Sequence, residues 1–217
     1  MTEAEQIRKT EEFLHRKLDG GAYMYAHPED KAYRLAHSFR VANIGRQIAR
    51  REGFDVTEMT IACLLHDVSY CETFGENGWE EHGRRSAAIA RPFLTELGLA
   101  PERIADICFG IAIHVDDRAD FPGERTPFAL TVGDADNIDR FDALRLHETL
   151  CRDGFLALPE EKKLTMCLSR RKRLEELLTM EMATGSAAAL WSERLAFGMT
   201  FYDKLIAQLR SSGAIED

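Results

Sequence analysis

The 217-residue sequence lacks several features that secreted and membrane proteins need. Its five cysteines, at positions 63, 71, 108, 151 and 167, include no CxxC pair, which favours free thiols in a reducing compartment. No apolar run approaches the roughly 20 residues that span a bilayer. The N-terminus, MTEAEQIRKTEEF, is too charged for a signal peptide. We therefore expect a cytoplasmic protein with no membrane contact.

Basic residues are also few, because 28 Lys and Arg stand against 37 Asp and Glu and give a net charge of −9. A protein that binds nucleic acid is normally basic, so we expect no nucleic-acid partner. A small anionic substrate remains compatible with this balance, since a local site can be positive on a negative surface.

Residues that break helices are scarce, with six prolines and fifteen glycines, and the hydrophobic residues repeat with a helical period. No alternating strand pattern and no internal repeat is present, so we predict an all-α fold. A hydrophobic content of 45% is enough for one core, and we expect a single domain over residues 1–217. The predicted helices cover about 2–18, 29–51, 57–65, 80–97, 101–114, 128–151, 159–182 and 187–211, with loops near 71–79 and 116–127.

Six polar residues lie in apolar or small-residue surroundings where a core is expected. They are His37, His66, Asp67, His82, His114 and Asp134. A buried ionised carboxylate must be paired, protonated or bound to a cation. On the N-terminal side of Asp67 the nearest basic residue is Arg51, so a metal ion is the simplest way to satisfy Asp67 and the adjacent His66 together.

Two common catalytic motifs are missing. Neither a GxxxxGK[ST] nor a GxGxxG phosphate loop occurs. Ser69, Cys71 and Ser86 lie near the polar residues but lack the context of a nucleophile elbow, so we interpret them as packing or hydrogen-bonding residues.

The order His37, His66-Asp67, Asp134 resembles the H…HD…D signature of the HD superfamily of metal-dependent phosphohydrolases. The resemblance extends over about residues 30–150, through the segments HSFRVA, IACLLHDVSY, HGRRSAAIA, ICFGIAIH and GDADNIDRFDALR. It implies an HD-domain helical bundle with its core at about 30–150. Residues 155–217 carry no comparable motif, and we expect additional C-terminal helices there.

The resemblance also implies a site. A first metal would be held by His37, His66, Asp67 and Asp134, with Asp67 as the catalytic carboxylate. His82 and His114 hold a second metal in subfamilies that have them, with Asp67 bridging; the alternative is that they bind the substrate phosphate beside one metal. Such ligands suit Mn, Fe, Co, Ni, Zn or Mg, as one or two ions.

A phosphorylated substrate needs positive groups nearby. We expect Arg40, one helical turn from His37, to bind the substrate together with Arg84 and Arg118. The general acid stays open among the acidic residues near the motifs, which are Glu72, Glu81, Asp116 and Asp117.

These observations favour a metal-dependent phosphohydrolase that acts on a small phosphorylated molecule, with nucleotides as the first choice. Two alternatives stay open: a di-iron oxygenase of the same superfamily that uses the same six ligands, and a metal-binding helical module without catalysis. The C-terminal helices offer either a homodimer face or a face buried within the chain.

Overall fold

The structure, a computed structural model, describes residues 1–73, 78–115 and 122–212, with the backbone alone at 78–80. Within these ranges the chain is all-α, as predicted, and contains no β-strand. The helices are α1 (Glu3–Gly20), α2 (Ala22–Ala26), α3 (Pro28–Glu52), α4 (Val56–Leu65), α5 (Gly78–Glu96), α6 (Pro101–Ile113), α7 (Pro127–Arg140), α8 (Ala143–Arg152), α9 (Glu160–Glu176) and α10 (Gly185–Arg210). Short 3₁₀ turns lie at Val68–Cys71, Phe155–Ala157 and Leu177–Thr179. None of the described helices is apolar over a length that would cross a bilayer.

Local sequence signals explain where α3 ends and α4 begins. Gly53 follows α3 with φ +75°, a left-handed conformation that glycine adopts without strain. The Asp55 carboxylate then accepts a hydrogen bond from the Glu58 N–H at 2.9 Å and caps α4. Both boundaries agree with the sequence, and together they fix where His66 and Asp67 emerge from α4.

The predicted helix over 128–151 is two helices in the structure. α7 ends at Arg140, and Asp142 adopts an extended conformation whose carboxylate accepts a 2.6 Å hydrogen bond from the Ala143 N–H. This cap begins α8, because aspartate competes for backbone donors better at a helix start than inside a helix. Of the two predicted loops, residues 74–77 and 116–121 lie outside the described part of the chain.

The chain forms two compact units. Unit 1 comprises Met1–Asp139 and Ala183–Ala187. In it α3 packs against α4, α5 packs against α6, and α1 also contacts α4. Fully buried side chains such as Val41, Ile61, Leu94 and Ile107 fill its core. The expectation of a single domain over residues 1–217, with its core at about 30–150, stays a prediction.

Unit 2 comprises Arg140–Met182 and Ala188–Asp217 and is described to residue 212. Its helices α8, α9 and the greater part of α10 bury Leu146, Leu174 and Leu195. The Trp191 ring is 2% exposed and lies edge-on against Phe141, with 5.1 Å between ring centroids. The C-terminal helices therefore have an apolar core of their own.

Candidate metal centre

Four histidines from four segments of unit 1 meet in its interior. His37 lies in the middle of α3, and His66 follows the last residue of α4. His82 lies in the first half of α5, and His114 follows the last residue of α6. All four side chains are buried. The positions predicted to converge from the sequence do so here.

Two glycines allow the helices that carry these residues to approach closely. A Cβ at Gly83, next to His82, would lie 2.6 Å from the Ala112 carbonyl oxygen of α6. A Cβ at Gly110 would lie 2.9 Å from the Ala129 carbonyl oxygen of α7. Because the obstacle in both cases is backbone, only glycine fits without moving a helix. These contacts hold α5, α6 and α7 close together at the histidine cluster.

The histidine Nε2 atoms face one another in two pairs. His37 Nε2 lies 3.2 Å from His66 Nε2, and His82 Nε2 lies 3.1 Å from His114 Nε2. Three of the rings donate from Nδ1: His37 to Asp139 Oδ2 at 2.8 Å, and His66 and His114 to backbone carbonyls at 2.7 Å. In a neutral imidazole this leaves the lone pair on Nε2. Between His37 and His66 the facing lone pairs therefore repel unless a proton or a metal ion lies between them.

The Asp67 carboxylate lies between the two histidine pairs. Its Oδ2 is 3.7 Å from His37 Nε2 and 3.6 Å from His66 Nε2. Its Oδ1 is 3.2 Å from His82 Nε2 and 3.6 Å from His114 Nε2. Two overlapping groups of possible metal ligands result, His37–His66–Asp67 and Asp67–His82–His114, each with its ligand atoms within 4.8 Å of one another.

The expectation that Asp134 joins this cluster is wrong in position, and Asp136 lies there instead. Asp136 Oδ1 is 3.1 Å from His37 Nε2 and 3.9 Å from His66 Nε2. Asp134 Oδ2 accepts a 2.8 Å hydrogen bond from the Ala183 N–H. Residues two apart point about 200° apart around a helix, so only one of these carboxylates can face the histidines. The sequence DAD offers both aspartates and does not by itself separate them.

Asp139, three residues after Asp136, holds His37 from behind. Arg40, predicted to bind substrate, donates to both Asp139 oxygens, from Nε at 2.7 Å and from a terminal nitrogen at 3.1 Å. These hydrogen bonds connect Arg40 through Asp139 to His37 and so orient the His37 ring. The i+3 spacing of Asp136 and Asp139 on one helix face is the sequence signal that could have identified both.

Arg34, which was not among the residues predicted from the sequence, contacts the cluster directly. Arg34 donates to Asp67 Oδ2 at 2.6 Å, from a position 33 residues earlier in the chain. Its guanidinium also lies over the Tyr70 ring, 3.5 Å from the centroid. Asp67 therefore has one cationic partner from the protein itself. A signal was present, since Arg34 precedes His37 by one helical turn.

The other predicted substrate and acid residues are placed less centrally. Arg84 pairs with Glu81 at 3.1 Å, and Arg85 pairs with Glu72 at the surface. Arg118, Asp116 and Asp117 lie outside the described residues. Their roles in binding substrate or donating a proton stay predictions.

Burial and neighbouring charges shift the pKa values of the cluster strongly. Burial works against a charged His37, but hydrogen bonds with Asp136 and Asp139 outweigh it and raise the pKa of His37 to about 9. Burial lowers the pKa of His66 to about 4. Despite their own burial, the pKa values of Asp67 and Asp136 are held low by the surrounding histidines. Burial raises the pKa of Asp134 to about 6, since only the Ala183 N–H opposes it.

The donor set fits a divalent metal ion. Ionised carboxylates and histidine Nε2 atoms converge from separate segments, and the Nδ1 atoms of His37, His66 and His114 are held by Asp139 and by backbone carbonyls. Metal-binding histidines typically have such partners on the second nitrogen. The mixed nitrogen and oxygen donors suit Mn, Fe, Co, Ni or Zn better than Ca.

Comparisons with known proteins identify a family and a similar fold. The model of the HD domain family matches residues 34–144, which include all the clustered residues. A crystal structure of a predicted HD superfamily hydrolase from an uncultured Thermotogales bacterium is similar in fold, with a TM-score of 0.64. The two sequences are 20% identical, and the match covers 93% of this chain and 91% of the other. No curated protein sequence matches this chain.

Proposed function

The chain belongs to the HD domain family, and we propose that it is a metal-dependent phosphohydrolase that cleaves a phosphate ester or anhydride of a small molecule. The observation that carries the proposal is the position of Asp67. Each of its two oxygens faces a different pair of histidines, at 3.2–3.7 Å. One carboxylate with two such faces is the arrangement expected of a bridge between two metal ions.

We assign His37, His66, Asp67 and Asp136 to one ion, and Asp67, His82 and His114 to the other. Divalent ions bound there would lower the pKa of a water molecule and polarise a phosphoryl oxygen. In this proposal His82 and His114 hold a metal and do not contact the phosphate, because the 3.1 Å separation of their Nε2 atoms suits two ligands of one ion.

Arg34 is the residue best placed to attract a phosphate group. It is about a quarter exposed while its terminal nitrogen contacts Asp67, so it borders the cluster and the solvent. The stacking contact with Tyr70 fixes its direction. A guanidinium at this position would neutralise charge that develops on a phosphoryl group, as phosphoryl transfer requires.

Arg40 and Asp139 act on His37. Their hydrogen bonds hold the His37 ring with Nδ1 protonated, which keeps Nε2 available as a ligand. In this proposal Arg40 is therefore a positioning residue, and Arg34 takes the role first predicted for Arg40.

Nucleotides are the first substrate class to test, with sugar phosphates beside them. The protein is purified without chelator, its metal content is measured, and phosphate release is followed with Mn, Fe, Co, Ni, Zn or Mg added to the metal-free form. Metal bound at one to two ions per chain, with phosphate release that disappears in Asp67→Ala, supports the proposal. Metal binding without turnover on any phosphorylated compound would instead support a non-catalytic module.

The di-iron oxygenase alternative uses the same ligands, so it needs its own measurement. Iron-loaded protein is mixed with candidate organic substrates, and oxygen consumption is recorded. Substrate-dependent consumption in the absence of phosphate release would replace the hydrolase proposal.

A further inference from the structure

A cavity of about 310 Å³ lies within unit 2, and arginine side chains dominate its lining. The arginines are Arg140, Arg145, Arg152, Arg170 and Arg173. The rest of the wall is formed by Phe141, Leu146, Thr149, Leu174 and Tyr202. Its size is at the lower end of small-molecule pockets. None of these residues belongs to the candidate metal centre.

Three carboxylates that pair with four of these arginines do not line the cavity. Asp153 contacts both Arg152 and Arg170, so one negative charge serves two guanidinium groups. Glu148 lies 3.4 Å from Arg145, and Glu176 lies 3.5 Å from Arg173. These pairs are partly exposed and therefore weak. The described residues that line the cavity therefore include five guanidinium groups and no carboxylate.

Two buried polar atoms in the wall have unused hydrogen-bonding capacity. Tyr202 is 1% exposed; its hydroxyl oxygen is placed to accept from Arg170, and no acceptor for its proton is found in the described part of the chain. The same holds for Nε of Arg170. Burial raises the pKa of Tyr202 although Arg170 opposes the shift, so the hydroxyl keeps its proton as a donor. Buried donors in native proteins normally have an acceptor, so both point to a ligand.

We propose that this cavity binds a small molecule through its phosphate group. Guanidinium groups match the geometry of phosphate oxygens and form charge-assisted hydrogen bonds with them. Tyr202 and Arg170 donate from the buried side of the cavity. The apolar part of the ligand lies against Phe141, Leu146 and Leu174. This site is independent of the hydrolase proposal, because it involves only unit 2.

Inorganic pyrophosphate is the probe that tests the site. It is titrated calorimetrically into the full-length protein after removal of metal and of chelator, so that a metal-bound phosphate cannot contribute. A second titration follows the fluorescence of Trp191 in a Trp79→Phe background, because Trp191 contacts the cavity residue Phe141. We expect saturable binding in both experiments, and no binding at millimolar pyrophosphate would overturn the proposal.

Three variants locate the binding. Tyr202→Phe removes only the hydroxyl and should weaken pyrophosphate binding about tenfold, while the thermal stability stays equal or rises because an unpaired donor is lost. Arg170→Gln should weaken it further. Arg171→Gln is the matched control, since it removes the same charge from the next residue of α9, which pairs with Asp203 and not with the cavity. Equal affinities in all variants, or equal losses in Arg170→Gln and Arg171→Gln, would contradict the site.

Discussion

The two histidine pairs of the candidate metal centre are built alike but supported differently. In both, Nε2 atoms lie about 3 Å apart and face one oxygen of Asp67. The His37–His66 pair is surrounded by Asp136, Asp139 and Arg40. Around His82 and His114 the described residues include Asp67 Oδ1 and the Ile111 carbonyl. Among the described residues, the first pair therefore has more carboxylates around it.

This difference predicts an order of occupancy. More carboxylate ligands stabilise a divalent cation, and fixed partners on Nδ1 raise the affinity of a histidine for it. We expect the His37–His66 side to fill first and to retain its ion longer under a chelator. The following substitutions test that order.

The largest effect is expected from Asp67→Ala, because Asp67 serves both pairs. The variant should bind no metal and lose on the order of 10³-fold or more in activity, which corresponds to several kcal/mol of lost metal catalysis. Metal content per chain and phosphate release measure the two effects. Two ions bound per chain in this variant would contradict a bridging role for Asp67.

Asp136→Asn should act on the first pair alone. Its metal affinity should fall by at least the roughly 100-fold that loss of a ligand's partner can cost. Asp134→Asn is the matched control on the same helix, and it keeps an oxygen that can accept from the Ala183 N–H. The control should retain metal and activity, with stability changed by less than about 0.5 kcal/mol. If Asp134→Asn instead lost metal and Asp136→Asn retained it, Asp134 would be the ligand.

His114→Ala should act on the second pair alone. The metal content should fall from two ions to one, while the remaining ion keeps the affinity of the first site. His15→Ala, on the exposed side of α1, is the control and should change neither quantity. If His114→Ala instead empties both positions, the two pairs form one inseparable site and the comparison fails.

The smallest effects are expected from substitutions of Arg34 and Arg40. They distinguish a residue that binds the substrate from one that positions a metal ligand. Arg34→Gln should leave metal content unchanged and raise KM about tenfold, the usual scale for one charge-assisted hydrogen bond. Arg40→Gln should leave KM nearly unchanged and lower metal affinity by about tenfold through Asp139. Steady-state kinetics at saturating metal, beside metal titrations, distinguish the two. If Arg40→Gln instead raised KM and Arg34→Gln lowered the metal affinity, Arg40 would be the residue that binds the substrate.

Most of the fold was predictable because local signals dominate it. The helical period, the cap at Asp55 and the glycine at position 53 specify helices and their ends within a few residues. One exception, at Phe141 and Asp142, also has a local cause, a capping carboxylate inside an otherwise helical pattern. Five of the six expected cluster residues, all except Asp134, lie together in the structure, and their role as metal ligands stays a prediction.

The sequence alone indicated that polar residues are buried and that an ionised carboxylate among them needs a partner, because such a group in an apolar segment must be paired, protonated or bound to a cation. Only the tertiary structure decided which carboxylate of DAD faces the histidines, that Arg34 reaches Asp67, and that Arg40 supports Asp139. These choices depend on the rotation and separation of packed helices. Residues distant in the chain meet at angles that no single segment encodes.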